Sequence, residues 1–592
     1  MPTAILTGPP VPGSPIEGEL RLLGFDVRHA PAPWDAGIVL DALPSQERVA
    51  VVDSRFVGHT HALRLALTDP RFEACAVPGA LSVHGPARAA LARAAAEPDL
   101  HAGTLPDGLA QALQAEGVPV HRPELGPLVA AVPLDARGRA EAEGALAAVD
   151  GEAVRLRTAV KSRDGFFTTF CISPYSRYLA RWCSRRGLTP NQVTTASLIT
   201  ALIAAGCAAT GSRSGYVAAG VLLIFSFVLD CTDGQLARYS LQYSTLGAWL
   251  DATFDRAKEY AFYAGLALGA ARDGDDVWVL ALGAMVLMTC RHVVDFAFNE
   301  ANHDATANTS PTAALSDRLD GLGWTVWLRR MIVLPIGERW ALIALLTALT
   351  TPRITFYALL VGCAFAALYT TAGRVLRSLT RKANRTDRAA QALADLADSG
   401  PLAETAALTL GRPAFGGRLV IAVVGALALL GTVGALRYGA PLTVAAALGY
   451  ALCAGVAVGR PLKGALDWLM PPLFRAAEYV TILILAVKAE VNGALPAAFG
   501  LVAAVAYHHY DTVYRIRGGT GAPPRWLTRA IGGHEGRVLL VVVLAAVLTP
   551  RTDFPVALTA LAVAVALLVL VESIRFWVSS GAPAVHDEGE AA

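Results

Sequence analysis

The stretch that decides the fold is residues 229–260, which read LDCTDGQLARYSLQYSTLGAWLDATFDRAKEY. Asp230 and Asp233 are three residues apart at the end of one apolar segment, and Asp251 and Asp255 are four apart at the beginning of the next. Both spacings place the two side chains of a pair on one face of a helix. The short connection between the segments predicts antiparallel neighbouring helices, so we expect the four carboxylates to converge.

Four carboxylates at membrane depth would be costly to bury, and they would repel one another unless cations neutralised them. Ligand sets made only of oxygen suit Mg²⁺ or Mn²⁺ and argue against zinc or copper. The sequence therefore predicts a divalent-metal centre between these two helices.

The residues around the aspartates favour a phosphate-bearing substrate. Gly234 and Ala237 lack bulk, so a nucleotide can lie close to the helix backbone, and Gly247 allows the same at the start of the next helix. Arg238 follows Asp233 by about one turn and can pair with a phosphate. The alternative is a solvated acidic helix end with ordinary small packing residues.

The composition is that of an integral membrane protein. Of the 592 residues, 54% are hydrophobic and only 17% are charged, whereas charged residues make up about a quarter of an ordinary soluble domain. The 50 basic residues are nearly matched by 48 acidic ones, so we expect no nucleic-acid partner.

The chain divides into a soluble part and two membrane parts. Residues 1–163 alternate short apolar runs with Ala-rich segments and predict a soluble α/β domain. Aromatic and arginine side chains at 174–187 predict a helix in the membrane interface, although a soluble amphipathic helix would look similar. We expect a membrane core at 164–385, a polar linker at 386–416, a second membrane domain at 417–580 and a flexible tail at 581–592.

Twelve apolar segments have a length suited to membrane spans. The predicted spans are 195–211, 216–230, 246–270, 277–298, 340–350 and 354–371 in the first set, and 419–436, 441–458, 473–487, 495–513, 538–548 and 554–576 in the second. With both termini in the cytoplasm, the long basic connections fall inside, as the positive-inside rule requires. The acidic site then faces the cytoplasm, and the cell membrane is the expected location.

The two sets of spans show an internal repeat. The sequence RAKEY at 256–260 resembles RAAEY at 475–479, and HVVD at 292–295 resembles HHYD at 508–511. An arginine precedes a Pro-Arg pair by the same interval in each set. These matches predict a duplication, and the alternative is two unrelated helical bundles.

The pattern D-x-x-D-G-x-x-A-R, eight residues, G-x-x-x-D-x-x-x-D resembles the signature of the CDP-alcohol phosphotransferases, and it is complete in this chain. The segment TPNQVT at 189–194 is similar to the family's entry into its first span. The resemblance covers about residues 165–381. It implies a six-helix core preceded by an interfacial helix.

The resemblance also implies roles for individual residues. Asp230, Asp233 and Asp251 would hold the metals, expected as two Mg²⁺ or Mn²⁺ ions, and Asp255 would contribute to them and act as general base. The cytidine diphosphate moiety would contact residues of the signature and of the entry segment: Asn191, Gln192, Val193, Thr194, Gly234, Ala237, Arg238, Ser244 and Gly247.

The acceptor is expected to be related to inositol phosphate. The sequence DATFDR at 251–256 resembles the subgroup that handles inositol phosphates, and the domain order resembles bifunctional inositol-phosphate cytidylyltransferase/di-inositol-phosphate-phosphate synthases. Cations on the later helices are candidates for binding the acceptor: Lys258, Arg291, His292, Arg329, Arg330 and Arg339. Each of them could instead be ion-paired, with Glu259, Asp295 and Glu338 as the obvious partners.

Two regions are expected to lack catalysis. In the N-terminal domain the loop at 7–15 contains four prolines, which remove amide donors, although Asp53 could still bind a metal. Aligning the repeats places Met470 and Phe474 where Asp251 and Asp255 lie. The second set is therefore predicted to be an inactive repeat that replaces a homodimer partner; a homo-oligomer is the alternative.

The sequence thus predicts a membrane transferase that moves a phospho-alcohol group from a CDP-alcohol donor to a hydroxyl acceptor and releases CMP. One alternative is a phosphatidyltransferase that uses CDP-diacylglycerol. The other is a non-catalytic scaffold or transporter, because twelve spans in two similar halves are a transporter-like layout.

Overall fold

The computed structural model describes residues 2–96, 104–161, 164–304, 306–309, 327, 331–380, 382–410, 417–548 and 551–579. The chain forms two compact units. The first contains Met1–Ser162, Ser173–Pro190 and Thr232–Ser244, and the second contains Arg163–Ile172, Asn191–Cys231 and Thr245–Ala592.

The N-terminal domain is built on a six-stranded sheet with the order β2-β1-β3-β6-β5-β7. Strand β1 is parallel to β2 and β3, β7 is parallel to β5, and β6 is antiparallel to β3 and β5. A separate pair consists of β4 and β8. The strands are β1 Thr3–Thr7, β2 Asp26–Ala30, β3 Val49–Asp53, β4 Val57–Gly58, β5 Ala74–Val77, β6 Ala80–Val83, β7 Val120–His121 and β8 Ala130–Ala131.

Helices cover both faces of this sheet, because its central strands are apolar on both sides. Ile5 packs in a cluster with α2, α4 and α5, whereas its neighbours Ala4 and Leu6 pack with α1 and α3. This two-sided burial is typical of α/β layers, and it confirms the predicted fold class of the domain. The helices are α1 Ile16–Leu22, α2 Pro33–Asp41, α3 Thr60–Leu67, α4 Ala87–Ala95, α5 Leu105–Ala115, α6 Ala136–Ala147 and α7 Gly151–Thr158.

Helix α8, Ser173–Arg185, is amphipathic. Tyr175, Tyr178 and Trp182 are exposed, whereas Ser176 and Ala180 are fully buried. The structure thus has a helix where the sequence predicted one. Exposed aromatic rings on one face are what an interfacial helix requires, and its location in the membrane interface stays a prediction.

The first membrane set contains six long helices. They are α9 Pro190–Ala209, α10 Arg213–Ser240, α11 Thr245–Arg272, α12 Trp278–Asn302, α13 Ile336–Leu349 and α14 Pro352–Thr380. Helix α10 lies close to α13: a Cβ added at Gly220 would lie 2.5 Å from the carbonyl oxygen of Ala344. The glycine therefore lets the two helix backbones approach closely.

Residues 386–416 were expected to be a polar linker, and the structure corrects this. Helices α15 Asp387–Ala397 and α16 Pro401–Thr409 lie there. Leu393 and Leu396 of α15 are buried, and α15 contacts helices of both membrane sets. Before α15, strand β10, Lys382–Asn384, pairs with β9, Thr306–Thr309. The polar residues of α15 lie on its exposed face. Their presence made this segment resemble a linker in the sequence.

The second membrane set repeats the order of long helices. It contains α17 Arg418–Ala435, α18 Pro441–Val458, α19 Met470–Ala489, α20 Ala494–Arg517, the short α21 Arg525–Ala530, α22 Gly533–Val547 and α23 Asp553–Ser579. The two sets pack together through α11 and α12 of the first and α19 and α20 of the second.

Nine helical segments among the described residues are long and apolar enough to cross a membrane. They are α9, α10, α12, α14, α17, α18, α19 with the turn before it (Asp467–Ala489), α21 and α22 taken together (Arg525–Val547), and α23. The other three predicted spans are also helical, as α11, α13 and α20. However, α11 and α20 contain many polar residues and α13 has only 14 residues. The total of twelve spans therefore stays a prediction.

Large apolar side chains are exposed along these helices, for example Leu202 on α9, Phe225 on α10, Phe365 on α14 and Leu567 on α23. Exposed apolar surface of this extent is not expected of a soluble monomer, and lipid would cover it. The chain is an integral membrane protein that is mainly α-helical, as its composition predicted.

Candidate active site and metal centre

The acidic signature lies on α10 and α11, which a tight connection joins. Helix α10 ends at Ser240, and α11 begins at Thr245. Leu241 has a positive φ of 55°, and the backbone N–H of Gln242 donates a hydrogen bond to the carbonyl of Ala237. Residues 241–244 thus form a short, tight connection between the two helices.

Three of the four predicted carboxylates come together. One oxygen from each of Asp230, Asp233 and Asp251 lies within 4.8 Å of the other two. Asp233 is buried, Asp230 is partly buried and Asp251 is exposed, so the group has an accessible edge. Three carboxylate donors at this spacing fit a hard divalent cation such as Mg²⁺ or Mn²⁺.

The fourth carboxylate, Asp255, contacts a lysine. The ammonium of Lys258 lies 2.9 Å from Oδ1 of Asp255 and also pairs with Asp230. It donates a third hydrogen bond to Oγ of Ser197, at 3.2 Å. Asp255 is not in the three-carboxylate group found among the described residues. The sequence placed Lys258 among acceptor ligands, but in the structure it contacts the carboxylates of Asp230 and Asp255.

The predicted nucleotide ligands lie at the ends of the same helices. Gly234, Ala237 and Arg238 follow the aspartates on α10, and Ser244 and Gly247 flank the beginning of α11. A Cβ added at Gly234 would lie 3.5 Å from the guanidinium of Arg238, so the space left by the glycine is next to this arginine. The entry segment Asn191, Gln192, Val193 and Thr194 forms the first turn of α9, with Val193 and Thr194 buried.

The end of α10 is held by α7, a contact that the sequence analysis missed. Nε of Arg238 donates to the carbonyl of Ala159 at 2.6 Å, and Nε of Arg155 donates to the carbonyl of Tyr239 at 2.9 Å. The Tyr239 hydroxyl donates to Oε1 of Glu152 at 2.7 Å, and the Arg155 guanidinium lies 3.5 Å from the centre of the Tyr239 ring. No sequence pattern joins positions so far apart.

The candidate acceptor ligands within the described residues have partners inside the protein. Arg339 is buried and pairs with Glu259 at 3.1 Å. Nδ1 of His292 lies 2.6 Å from the Tyr510 hydroxyl, and Arg291 donates to the carbonyl of Val333. Arg329 and Arg330 lie outside the described residues.

Two of the three partners predicted for these cations bind other groups. Asp295 pairs with Arg374 of α14, and Glu338 accepts a hydrogen bond from the backbone N–H of Phe167 at 3.3 Å. Glu259 pairs with a predicted acceptor cation, Arg339. Sequence spacing could not identify these partners because they lie on helices distant in the chain.

Phe474, which the predicted repeat aligns with Asp255, lies among aromatic residues. The ring of Phe474 is stacked on that of His534, with centroids 4.4 Å apart. The Tyr450 hydroxyl lies 2.8 Å from Nδ1 of His534. All three side chains are buried. The repeat itself stays a prediction.

In the N-terminal domain, the predicted alternative metal ligand is already paired. Both carboxylate oxygens of Asp53 accept hydrogen bonds from Arg55, at 3.0 and 2.9 Å. Asp53 is buried at the end of β3. In the structure this carboxylate is thus neutralised by an arginine.

Comparison with known proteins assigns families to two segments. Residues 187–368 match the family model described as CDP-alcohol phosphatidyltransferase. Residues 387–592 match a family of unknown function, DUF5941. The second match begins where α15 begins, which groups α15 and α16 with the second membrane set.

Curated relatives are similar over shorter stretches of the chain. A bifunctional IPC transferase and DIPP synthase of Aquifex aeolicus is 30% identical over 128 residues, which cover 21% of this chain and 29% of the relative. A phosphatidylinositol phosphate synthase of Streptomyces avermitilis is 32% identical over 130 residues, 21% of this chain and 51% of the relative.

An archaetidylinositol phosphate synthase of Pyrococcus horikoshii is 30% identical over 105 residues, which cover 18% of this chain and 54% of the relative. The chain thus spans between 29% and 54% of the length of these three relatives. These matches agree with the complete eight-residue signature and with the two helices, α10 and α11, that carry it. The chain contains a CDP-alcohol phosphatidyltransferase domain, at residues 187–368.

Proposed function

We propose that this chain is a membrane transferase that moves a phospho-alcohol group from a CDP-alcohol donor to a hydroxyl acceptor and releases CMP. The observation that carries the proposal is the complete signature on α10 and α11, with oxygens of Asp230, Asp233 and Asp251 within 4.8 Å of one another. A vestigial scaffold or transporter would have no reason to keep carboxylates so costly to hold at membrane depth.

Asp255 is the proposed general base. Its side chain is mostly buried, and the ammonium of Lys258 stabilises its anionic form by direct contact. A carboxylate so placed can accept the proton of an acceptor hydroxyl, whose oxygen attacks the phosphorus that bears the alcohol. The bond from that phosphorus to the CMP oxygen then breaks, so no covalent enzyme intermediate is needed.

The three grouped aspartates would hold Mg²⁺ or Mn²⁺. When bound, such an ion would neutralise pyrophosphate charge and polarise the phosphorus. Arg238 would pair with a phosphate of the donor. The small residues Gly234, Ala237 and Gly247 would leave room for the nucleotide, and Ser244 with 191–194 would complete its binding site.

We propose an acceptor related to inositol phosphate, because two similar proteins are named bifunctional IPC transferase and DIPP synthase and phosphatidylinositol phosphate synthase. The second of these names also supports the alternative, a phosphatidyl donor such as CDP-diacylglycerol. The basic connections support a site that faces the cytoplasm, in the cell membrane.

The test is CMP release by the purified full-length protein with Mg²⁺ and inositol phosphate as acceptor, with CDP-inositol or CDP-diacylglycerol as donor. The wild type should consume one of the two, and Asp255→Asn should lower the rate by about 10²-fold or more because the general base is lost. The control Asp273→Asn removes an exposed carboxylate outside the site and should keep the wild-type rate. Equal release by wild type and Asp255→Asn would favour the scaffold.

We propose that the second membrane set is an inactive repeat that packs on the first and stands in for a homodimer partner. Buried ion pairs support the duplication: Glu259 binds Arg256 at 3.1 Å and Arg339 at 3.1 Å, and Glu478 binds Arg475 at 2.9 Å and Arg537 at 2.5 Å. These are equivalent residues of the two repeats. The N-terminal domain is a degenerate nucleotidyltransferase-like scaffold in this proposal.

A further inference from the structure

Several contacts with the surrounding helices hold Lys258 in the proposed catalytic centre. Its side chain is completely buried. Its ammonium contacts the carboxylates of Asp230 and Asp255 and the hydroxyl of Ser197, and it lies 5.4 Å from the centre of the Trp340 ring. A buried ammonium is tolerated only when it is paired and hydrogen-bonded, and this one has three oxygen partners.

The four aspartates therefore serve two positions. One is a candidate cation site, and the other is the ammonium of Lys258. Asp230, Asp233 and Asp251 converge on one position, as a cation site requires. Asp255 instead contacts Lys258, and Asp230 is shared between that ammonium and the three-carboxylate group. A divalent cation that bridged Asp230 and Asp255 would need the place that the ammonium occupies.

We propose, on the basis of the proposed function, that the catalytic centre holds one divalent cation and that Lys258 takes the place of a second one. The ion is held by Asp230, Asp233 and Asp251. Lys258 is a positioning residue, which neutralises Asp230 and Asp255 and holds the Asp255 carboxylate toward the acceptor. This replaces the expectation of two ions drawn from the sequence.

The chemistry of the side chain fits this task. An ammonium is a compact charge with three donors, and here the three find Asp230, Asp255 and Ser197. Ser197 lies on α9, Asp230 on α10 and Lys258 on α11. One side chain thus joins three helices of the site, as a bridging metal ion would.

The test counts Mn²⁺ bound by the purified full-length protein, without substrate. Equilibrium dialysis should give one Mn²⁺ per chain for the wild type, with the electron paramagnetic resonance spectrum of an isolated ion. Lys258→Ala should bind two Mn²⁺ per chain, and their spectrum should show spin coupling, because the two sites share Asp230. Asp233→Asn should lower the affinity of the single ion at least tenfold.

Two further variants keep the test decisive if Lys258→Ala does not fold. Lys258→Arg keeps the charge and should still bind one ion. Lys488→Ala removes a lysine that donates to the carbonyls of Val433 and Leu436 in the second set, and it should not alter the count. Two Mn²⁺ per wild-type chain would overturn this inference and leave the proposed function intact. No bound Mn²⁺ would overturn both.

Discussion

At the scale of single residues, the proposed repeat aligns Asp251 and Asp255 of α11 with Met470 and Phe474 of the second set. Phe474 stacks on His534 in a buried aromatic group. A glutamate paired with two arginines is found in each set, Glu259 in the first and Glu478 in the second. In this proposal, the second set keeps the ion pairs and lacks the carboxylates of the candidate site.

Another residue, His61 of α3, should make the N-terminal domain sensitive to acid. It is buried, and neither ring nitrogen has a hydrogen-bond partner among the described residues. Burial lowers the pKa of His61 to about 3, with a further contribution from the charges of Arg155, Arg64 and His59. The ring therefore stays neutral in the folded protein over the physiological range.

The sign of the pH dependence follows from this shift. Below about pH 6.5 the unfolded chain binds a proton at His61 that the folded chain refuses until about pH 3, so stability falls as the pH drops through this window. The loss should be about 2 kcal/mol at pH 5. His61→Leu should remove this part of the acid sensitivity.

The measurement is thermal unfolding of the full-length protein between pH 7.5 and pH 5. Equal acid sensitivity of wild type and His61→Leu would contradict the prediction.

At the scale of secondary-structure elements, the short helix α7 holds the end of the catalytic helix α10. Arg155 of α7 donates a hydrogen bond to the carbonyl of Tyr239, the residue after Arg238. Arg238 itself donates to the carbonyl of Ala159, the residue after α7. The position of the signature arginine thus depends on an element about eighty residues earlier in the chain.

Breaking this contact should affect donor binding. Arg155→Met removes the charged hydrogen bond and the cation–π contact to Tyr239, which together contribute about 2–3 kcal/mol. Because the end of α10 becomes looser, we expect a higher KM for the CDP-alcohol at an unchanged KM for the acceptor. Steady-state CMP release at varied donor and acceptor concentrations measures both values.

Two controls accompany this prediction. Tyr239→Phe loses only the hydrogen bond to Glu152, worth about 1 kcal/mol, so its effect should be smaller. Arg137→Met breaks an exposed pair with Glu141 on α6 and should change neither constant. Equal increases in both KM values for Arg155→Met would argue for general loss of structure.

At the scale of the whole molecule, the two membrane sets are joined by buried contacts between large side chains. Trp468 is fully buried, donates a hydrogen bond from Nε1 to Ser378 Oγ at 3.0 Å and packs edge-on against Phe298 at 5.2 Å. Trp278 meets Phe499 in the same way, at 5.7 Å. The second set therefore covers a face that the first set would otherwise expose.

Trp468→Ala should destabilise both sets together, because it leaves a large cavity between them. We expect a loss of about 3–5 kcal/mol, seen as a lower midpoint of thermal unfolding in detergent and as loss of CMP release at the same temperature. Ser378→Ala, which removes only the hydrogen bond, should cost about 1 kcal/mol. If Trp468→Ala kept CMP release above its unfolding midpoint, the two sets would be independent.

Several properties of this protein follow from its composition and from the spacing of residues close together in the chain. The charge and apolar content of the chain identify a membrane protein, and the spacing of Asp230, Asp233, Asp251 and Asp255 identifies the catalytic helices, because helix periodicity alone puts those side chains on one face. The alternating strands and helices of the N-terminal domain can also be read from the sequence. So can the absence of the four signature aspartates from the second set.

The partners of the charged residues were decided only by the tertiary structure. Lys258 binds Asp230 on a different helix, Arg155 reaches Tyr239, and α15 forms within a segment that reads as a polar linker. The two contacts join residues on different helices, and α15 packs against helices of both membrane sets. A buried charge takes whichever opposite charge the packing of helices brings within reach, and the packing is a property of the whole fold.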